Sequence, residues 1–181
     1  MRRAALIANV RFVHAPVLVT AASRHAATRE IAEAIAAGLE RRGVQAEVLD
    51  IAGVGEVGEY RAVVLGSAVY LGRWLRPATG FAAGNAAELR TMPVWLFSSG
   101  PLGPREHPIP STPPADVEEM MALTGARAHR LFHGRLNRDA LGRAERIAVR
   151  AVHAPLGDGR DWHEIDDFAA DIAGVLEPAV R

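Results

Sequence analysis

Pro16-Val17-Leu18-Val19-Thr20-Ala21-Ala22-Ser23-Arg24-His25-Ala26-Ala27-Thr28 runs from a Val-rich apolar stretch straight into a loop of small, hydroxylated and cationic residues. The apolar part, residues 16–20, is too short for a helix and reads as a strand buried on both faces. In the segment that follows, residues 28–42, Ile31, Ile35 and Leu39 lie four apart with Ala32 and Ala36 beside them, and Gly43 stands where a helix C-terminus favours glycine. Strand, loop and amphipathic helix in that order make half of a βαβ unit. The rest of the chain repeats the alternation.

Further apolar strands are predicted at residues 46–51, 60–67, 93–98 and 128–133, with helices at 74–89, 115–124, 139–152 and from Asp161 to the end. The connection 52–59 holds three glycines and is too short for a full crossover helix. Residues 100–114 carry six prolines and read as an extended surface loop. The last helix is the clearest, with Asp161-Trp162-His163-Glu164 resembling a capping box and Ile165, Phe168, Ala169, Ile172 and Leu176 on one face. The alternation implies an α/β protein of three layers, α/β/α, around a parallel sheet. In such sheets ligands sit beyond the carboxyl ends of the strands, at the switch in strand order. The loops after Thr20, Leu65 and Phe97 are therefore the ones to read for chemistry.

Composition removes several alternatives. The chain has 181 residues, enough for one domain over 16–181, with residues 1–15 read as a tail. Arg2-Arg3 resembles the start of a signal peptide, but Asn9 and Arg11 interrupt the apolar run. No stretch approaches the roughly 20 apolar residues of a membrane-spanning helix. With no cysteine there is no disulfide framework, thiolate metal site or thiol nucleophile, and a reducing cytoplasm is the expected location. The basic residues are all Arg, and 21 of them balance 21 acids, so a nucleic-acid partner is not expected. No metal site is expected either: His129 and His133 fall on one strand face about 13 Å apart, too far to share an ion. No phosphoacceptor acids follow the first and third strands, as a receiver domain requires. There is no GxSxG elbow, and Ser98-Ser99 has no evident triad partner.

The first loop, Ser23-Arg24-His25-Ala26-Ala27-Thr28, leads into a helix N-terminus, whose N–H groups and dipole favour an anion, with Ser23 and Thr28 hydroxyls as donors. The alternative is that Ser23 or Thr28 merely caps the helix. This loop is neither a Walker A motif nor a GxGxxG fingerprint. The second loop, Ser67-Ala68-Val69-Tyr70-Leu71-Gly72, precedes Trp74. It offers an aromatic face beside backbone amides, suited to a flat heteroaromatic ligand, whereas Trp74 is expected to pack under the following helix. The third, Ser98-Ser99-Gly100-Pro101-Leu102-Gly103, is small and polar where the fourth strand ends.

These residues resemble the flavodoxin-like superfamily and, within it, the menaquinone-dependent protoporphyrinogen dehydrogenase branch. Ser23 to Thr28 falls in register with the (Ser/Thr)-x-Thr-Gly-x-Thr phosphate loop. Arg24 and Thr28-Arg29-Glu30-Ile31-Ala32 resemble the dehydrogenase branch, as do Val63-Val64-Leu65-Gly66-Ser67, Tyr70-Leu71-Gly72 and Asp161-Trp162. The resemblance implies a five-stranded sheet of order 2-1-3-4-5 and FMN as cofactor. The phosphate would lie on Ser23, Arg24, His25, Ala26, Ala27 and Thr28, and the ring between Ser67–Gly72 and Ser98–Gly103. It further implies an FMN-dependent oxidoreductase meeting a small organic substrate or a quinone, with no individual catalytic residue assigned. A carrier of electrons with the same fold is the alternative, as is a flavin-free binding or regulatory module. Ala26 replaces the loop glycine and His25 the residue before it, so the Cβ of Ala26 is expected to crowd the phosphate or demand a negative φ. Protonated His25 together with Arg24 would instead add positive charge there. The branch's insertion maps onto residues 134–160. By itself the amphipathic stretch 143–153 reads as a solvated or covering helix, and the resemblance adds peripheral membrane contact as the alternative.

Overall fold

The computed structural model describes residues 15–100, 113–136 and 157–177. Residues 1–14 of the expected tail, Pro101, Leu102, Gly103 and the helices expected at 139–152 and 143–153 lie outside them. Five parallel strands form the sheet: β1 (Val17–Ala22), β2 (Ala46–Asp50), β3 (Ala62–Tyr70), β5 (Val94–Ser99) and β6 (Ala128–Phe132), in the order β2-β1-β3-β5-β6. That is the predicted order, renumbered because a two-residue strand, β4 (Arg73–Trp74), folds back antiparallel on β3.

Both faces of the sheet are covered, which is why its strands are apolar at successive positions. Val17, Val19, Val64, Phe97 and Phe132 pack with α1 (Ala27–Glu40) and the last helix, α5 (Trp162–Leu176). Leu18, Val63, Leu65 and Leu96 pack on the opposite side with α2 (Arg76–Gly84), α3 (Ala86–Leu89) and α4 (Val117–Thr124). Fully burying a side chain of this size is worth about 1.5–3 kcal/mol. Two close approaches need glycine. A Cβ on Gly66 would lie 2.1 Å from Phe97 Cζ, and one on Gly38 would lie 2.6 Å from Ala169 Cβ, where α1 meets α5. The Asp166 carboxylate, bonded by Arg41 at 2.6 Å and by Arg42 at 2.8 Å, ties the same helix pair.

The helix expected over 74–89 is instead β4, α2 and α3. Trp74 pairs with Val69 as strand, Leu75 stays extended ahead of Pro77 in the helix's first turn, and Asn85, at φ −113°, breaks the run after Gly84. The third strand runs three residues beyond the predicted Ser67, to Tyr70. Leu71 (φ 50°) and Gly72 (φ 75°) then form a two-residue turn with both φ values positive, the geometry that matches the twist of an antiparallel pair. Residues 53–58 do spell G-x-G-x-x-G, as Gly53-Val54-Gly55-Glu56-Val57-Gly58. They lie on two 3-10 turns, Ile51–Gly53 and Val57–Glu59, with no helix after β2 to bind a pyrophosphate. The predicted insertion opens with β7 (Arg135–Leu136) and ends with β8 (Gly157–Asp158), which pair antiparallel.

Candidate functional site

At the carboxyl ends of β1, β3 and β5, where the strand order reverses, a groove is walled by Ser23, Arg24, His25, Ala27 and Thr28 on one side and by Ala68, Val69 and Tyr70 on the other. Ser99, Gly134 and Arg135 complete it. The three loops singled out in the sequence thus converge on one place.

The first wall is an open helix terminus. Ala26, the residue preceding α1, adopts φ 61° and ψ −23°, the left-handed conformation that glycine takes freely. The expectation that its Cβ demands a negative φ is therefore wrong: the glycine-like turn is kept with an alanine in it. No side chain caps α1. Ala27 N–H turns back to the His25 carbonyl at 2.7 Å and Glu30 N–H bonds the Ala26 carbonyl at 2.9 Å. The N–H groups of Thr28 and Arg29 have no acceptor among the described residues. Thr28 is only 2% exposed, lines the groove, and commits its hydroxyl to no partner among the described residues. Thr28 thus stands in the groove wall in the first turn of α1, beside N–H groups that no side chain caps and at the positive end of the helix dipole.

Along the second wall, the Arg24 guanidinium lies 4.6 Å from the centre of the Tyr70 ring. With that face covered, the groove encloses about 40 Å³. Leu71, at the hairpin tip next to Tyr70, is 95% exposed. Gly72 lies in the turn itself, and its carbonyl accepts the Ala115 N–H at 3.1 Å. On the third side Gly100 takes φ 135°, and its N–H donates to the Phe132 carbonyl at 2.9 Å.

Ser67 and Ser98 lie behind the groove, fully buried. The Ser67 hydroxyl accepts the Leu75 N–H at 2.9 Å and donates to the Ala68 carbonyl. Ser98 Oγ accepts the Trp74 indole N–H at 2.8 Å and sits 2.8 Å from His129 Nε2. Burial pushes the His129 ring down to about 4, so it stays neutral. This Ser–His contact is not a hydrolytic pair, because Ser98 has no access to solvent; it anchors Trp74, which is buried as expected. Asp116 adds a second anchor, accepting from the Trp74 backbone N–H and from Arg73, both at 2.8 Å. The hairpin carrying Tyr70 is thereby fixed to the sheet and to the start of α4.

Four contributors escaped the sequence reading. Glu30, in the first turn of α1, accepts from Arg135 at 2.7 Å and from Arg160 at 2.6 Å. Burial opposes its charge, but the hydrogen bonds and positive charges of the two arginines outweigh that and keep its carboxyl below the usual range. Arg160 also binds Asp158 at 2.6 Å and lies 4.5 Å over the Trp162 ring. These contacts lock β7 and β8 to the helix that opens the groove. The signals were faint: Glu30 lies within the quoted Thr-Arg-Glu-Ile-Ala run, and Asp161-Trp162 follows Arg160 directly. Among the described residues no group of three or more His, Asp or Glu side chains is placed to hold a metal. No helix among them is long and apolar enough to cross a membrane.

A family model described as a flavodoxin domain matches residues 18–162. Solved structures agree on the fold. An archaeal flavodoxin superposes with a TM-score of 0.61 at 19% identity, covering 89% of this chain and 98% of its own. Oxidised flavodoxin 1 from Bacillus cereus gives 0.59 at 16% identity, covering 90% of this chain and 99% of its own. The flavodiiron core of Flv1 from Synechocystis gives 0.61 at 15% identity, with 97% of this chain matched to 39% of that one. None of the curated proteins matches the sequence.

Proposed function

The chain belongs to the flavodoxin-domain family, and from that premise we propose that it binds FMN and works as a redox flavoprotein, an oxidoreductase acting on a small organic substrate or a quinone. When bound, FMN supplies a ring that accepts and returns electrons. The observation that carries the reading is the first wall of the groove: a turn held at φ 61° on an alanine, a helix start without a side-chain cap, and Thr28 lining the groove beside that start with no hydrogen bond from its hydroxyl to the described residues. Capping, the structural alternative for Ser23 and Thr28, leaves these features unexplained. Backbone N–H groups, Ser23 and Thr28 would hold the phosphate. Ala68 and Val69 offer the ring an apolar edge, and Tyr70 offers it a face from which Arg24 must first be displaced.

The choice of exchange partner rests on the rim. Leu71 projects into solvent beside the groove, and Arg73 carries an exposed cation although it is paired with Asp116. That mixture of apolar and cationic surface on a chain of zero net charge suits a carboxylated organic molecule or a quinone better than a basic protein. The resemblance to the protoporphyrinogen dehydrogenase branch makes a porphyrinogen the substrate to try first.

Fluorescence titration tests the cofactor. Free FMN added to the purified protein should be quenched with a stoichiometry of one. Absence of quenching at high micromolar FMN, with no flavin absorbance in the purified protein, would leave the flavin-free module as the correct reading.

A further inference from the structure

We infer that Arg135, from the base of the insertion, is a ligand of the cofactor phosphate, oriented by Glu30, so that the phosphate site carries a charged side chain from outside its own loop. This inference rests on the FMN reading above and adds to it a residue that neither the loop motif nor the family resemblance indicates.

A flavin phosphate carries between one and two negative charges near neutrality, whereas a helix N-terminus offers only about half a positive charge. Arg24 lies in the loop, but its guanidinium is stacked on the Tyr70 ring of the second wall. Glu30 makes the deficit worse, because it puts a carboxylate in the first turn of α1, the turn whose open N–H groups would receive the phosphate. An unbalanced Glu30 would repel the ligand. Arg135 and Arg160 balance it, at 2.7 and 2.6 Å.

The two arginines differ in what they can reach. The Arg160 side chain is 3% exposed and divides its donors between Glu30 and Asp158, with the Trp162 ring beneath it. It is fully engaged and does not line the groove. Arg135 does line the groove, beside Ser23 to Thr28, and its side chain is 32% exposed. Among the described residues one nitrogen of its guanidinium, Nη2, is bonded, to Glu30 Oε1. A guanidinium has five N–H donors in a rigid planar fork, so a carboxylate on one edge leaves another edge presented in a fixed direction. Glu30 thus acts as the positioning residue for Arg135, and Arg160 offsets the charge of Glu30 so that Arg135 retains its attraction for an anion.

Phosphate discrimination is the readout. FMN and riboflavin are titrated by fluorescence quenching into wild type, Arg135→Gln and Arg135→Lys, with thermal melts as the folding control. In Arg135→Gln the FMN affinity should fall tenfold or more and the riboflavin affinity less than twofold; Arg135→Lys, which keeps the charge but not the fork, should lie between. Inorganic phosphate at tens of millimolar should compete with FMN in wild type, and less so in Arg135→Gln. Equal losses for both flavins would mean that Arg135 only supports the groove, and an unchanged FMN affinity would remove it from the site; either result overturns the inference while the FMN reading stands. Failure of wild type to bind either flavin overturns both.

Discussion

Ala26 is the residue whose chemistry and conformation disagree most. An L-residue in the left-handed region carries a strain of about 1–2 kcal/mol, which glycine does not, although glycine gives back part of the gain through a more flexible unfolded chain. Ala26→Gly should therefore raise stability by about 1 kcal/mol, measured by urea unfolding. Because the turn already stands at φ 61°, the strain is present with or without a ligand, and FMN affinity should change by less than threefold. A large gain in affinity would mean that the loop reaches this conformation only on binding. Thr28 is the opposite case, a side chain suited to its place. Thr28→Ala should weaken FMN by about 1–3 kcal/mol, the range for losing a hydrogen bond to a charged group, and affect riboflavin much less. The residue types that line the groove were legible because small, hydroxylated and cationic residues followed a strand. The burial of Ser67 and Ser98 was not, since their partners Leu75, Trp74 and His129 come from other elements.

Elements were read best where the pattern was local. The apolar strands and helices α1 and α5 emerged from periodicity and caps, including Asp161, whose carboxylate accepts the His163 N–H at 2.9 Å. The β3–β4 hairpin was missed because its turn carries Leu at a positive-φ position and its strand is completed by long-range anchors, Asp116 and Ser98. Those anchors predict a pH dependence. The pKa of His129 is about 4 when folded, against an ordinary value near 6.5. Between these values the unfolded chain binds a proton that the folded chain does not, so unfolding free energy falls as pH falls from about 6.5 towards 4. Above that window the contribution is complete. Wild type should lose more stability over it than His129→Asn, which cannot titrate there, and denaturant midpoints at pH 7 and 4.5 would measure the difference; parallel profiles would place the ring in contact with water. A further test of packing is Gly66→Ala, where the added Cβ meets the Phe97 ring. Overpacking of this kind should cost about 3 kcal/mol in thermal or urea unfolding.

At the scale of the molecule, the parallel sheet covered on both faces followed from alternation, whereas its strand order came from the family resemblance, because the same alternation fits more than one order of a doubly wound sheet. The clamp of Glu30, Arg135 and Arg160 followed from neither, since it joins positions 105 and 130 residues apart. What remains global is charge. With 21 arginines against 21 acids, the chain has no net field to steer a charged partner, and electrostatic steering is what lifts association well above the unassisted rate at low salt. The FMN-loaded, chemically reduced protein should therefore react with a strongly basic one-electron acceptor protein slowly, with a rate that changes less than about threefold between low and physiological ionic strength. A water-soluble naphthoquinone, which needs no steering and meets Leu71 and Tyr70 at the rim, should reoxidise it faster. Stopped-flow absorbance follows both reactions. A rate with the basic protein that is fast at low salt and collapses as salt is added would reveal a local acidic docking patch and favour the electron carrier over the oxidoreductase.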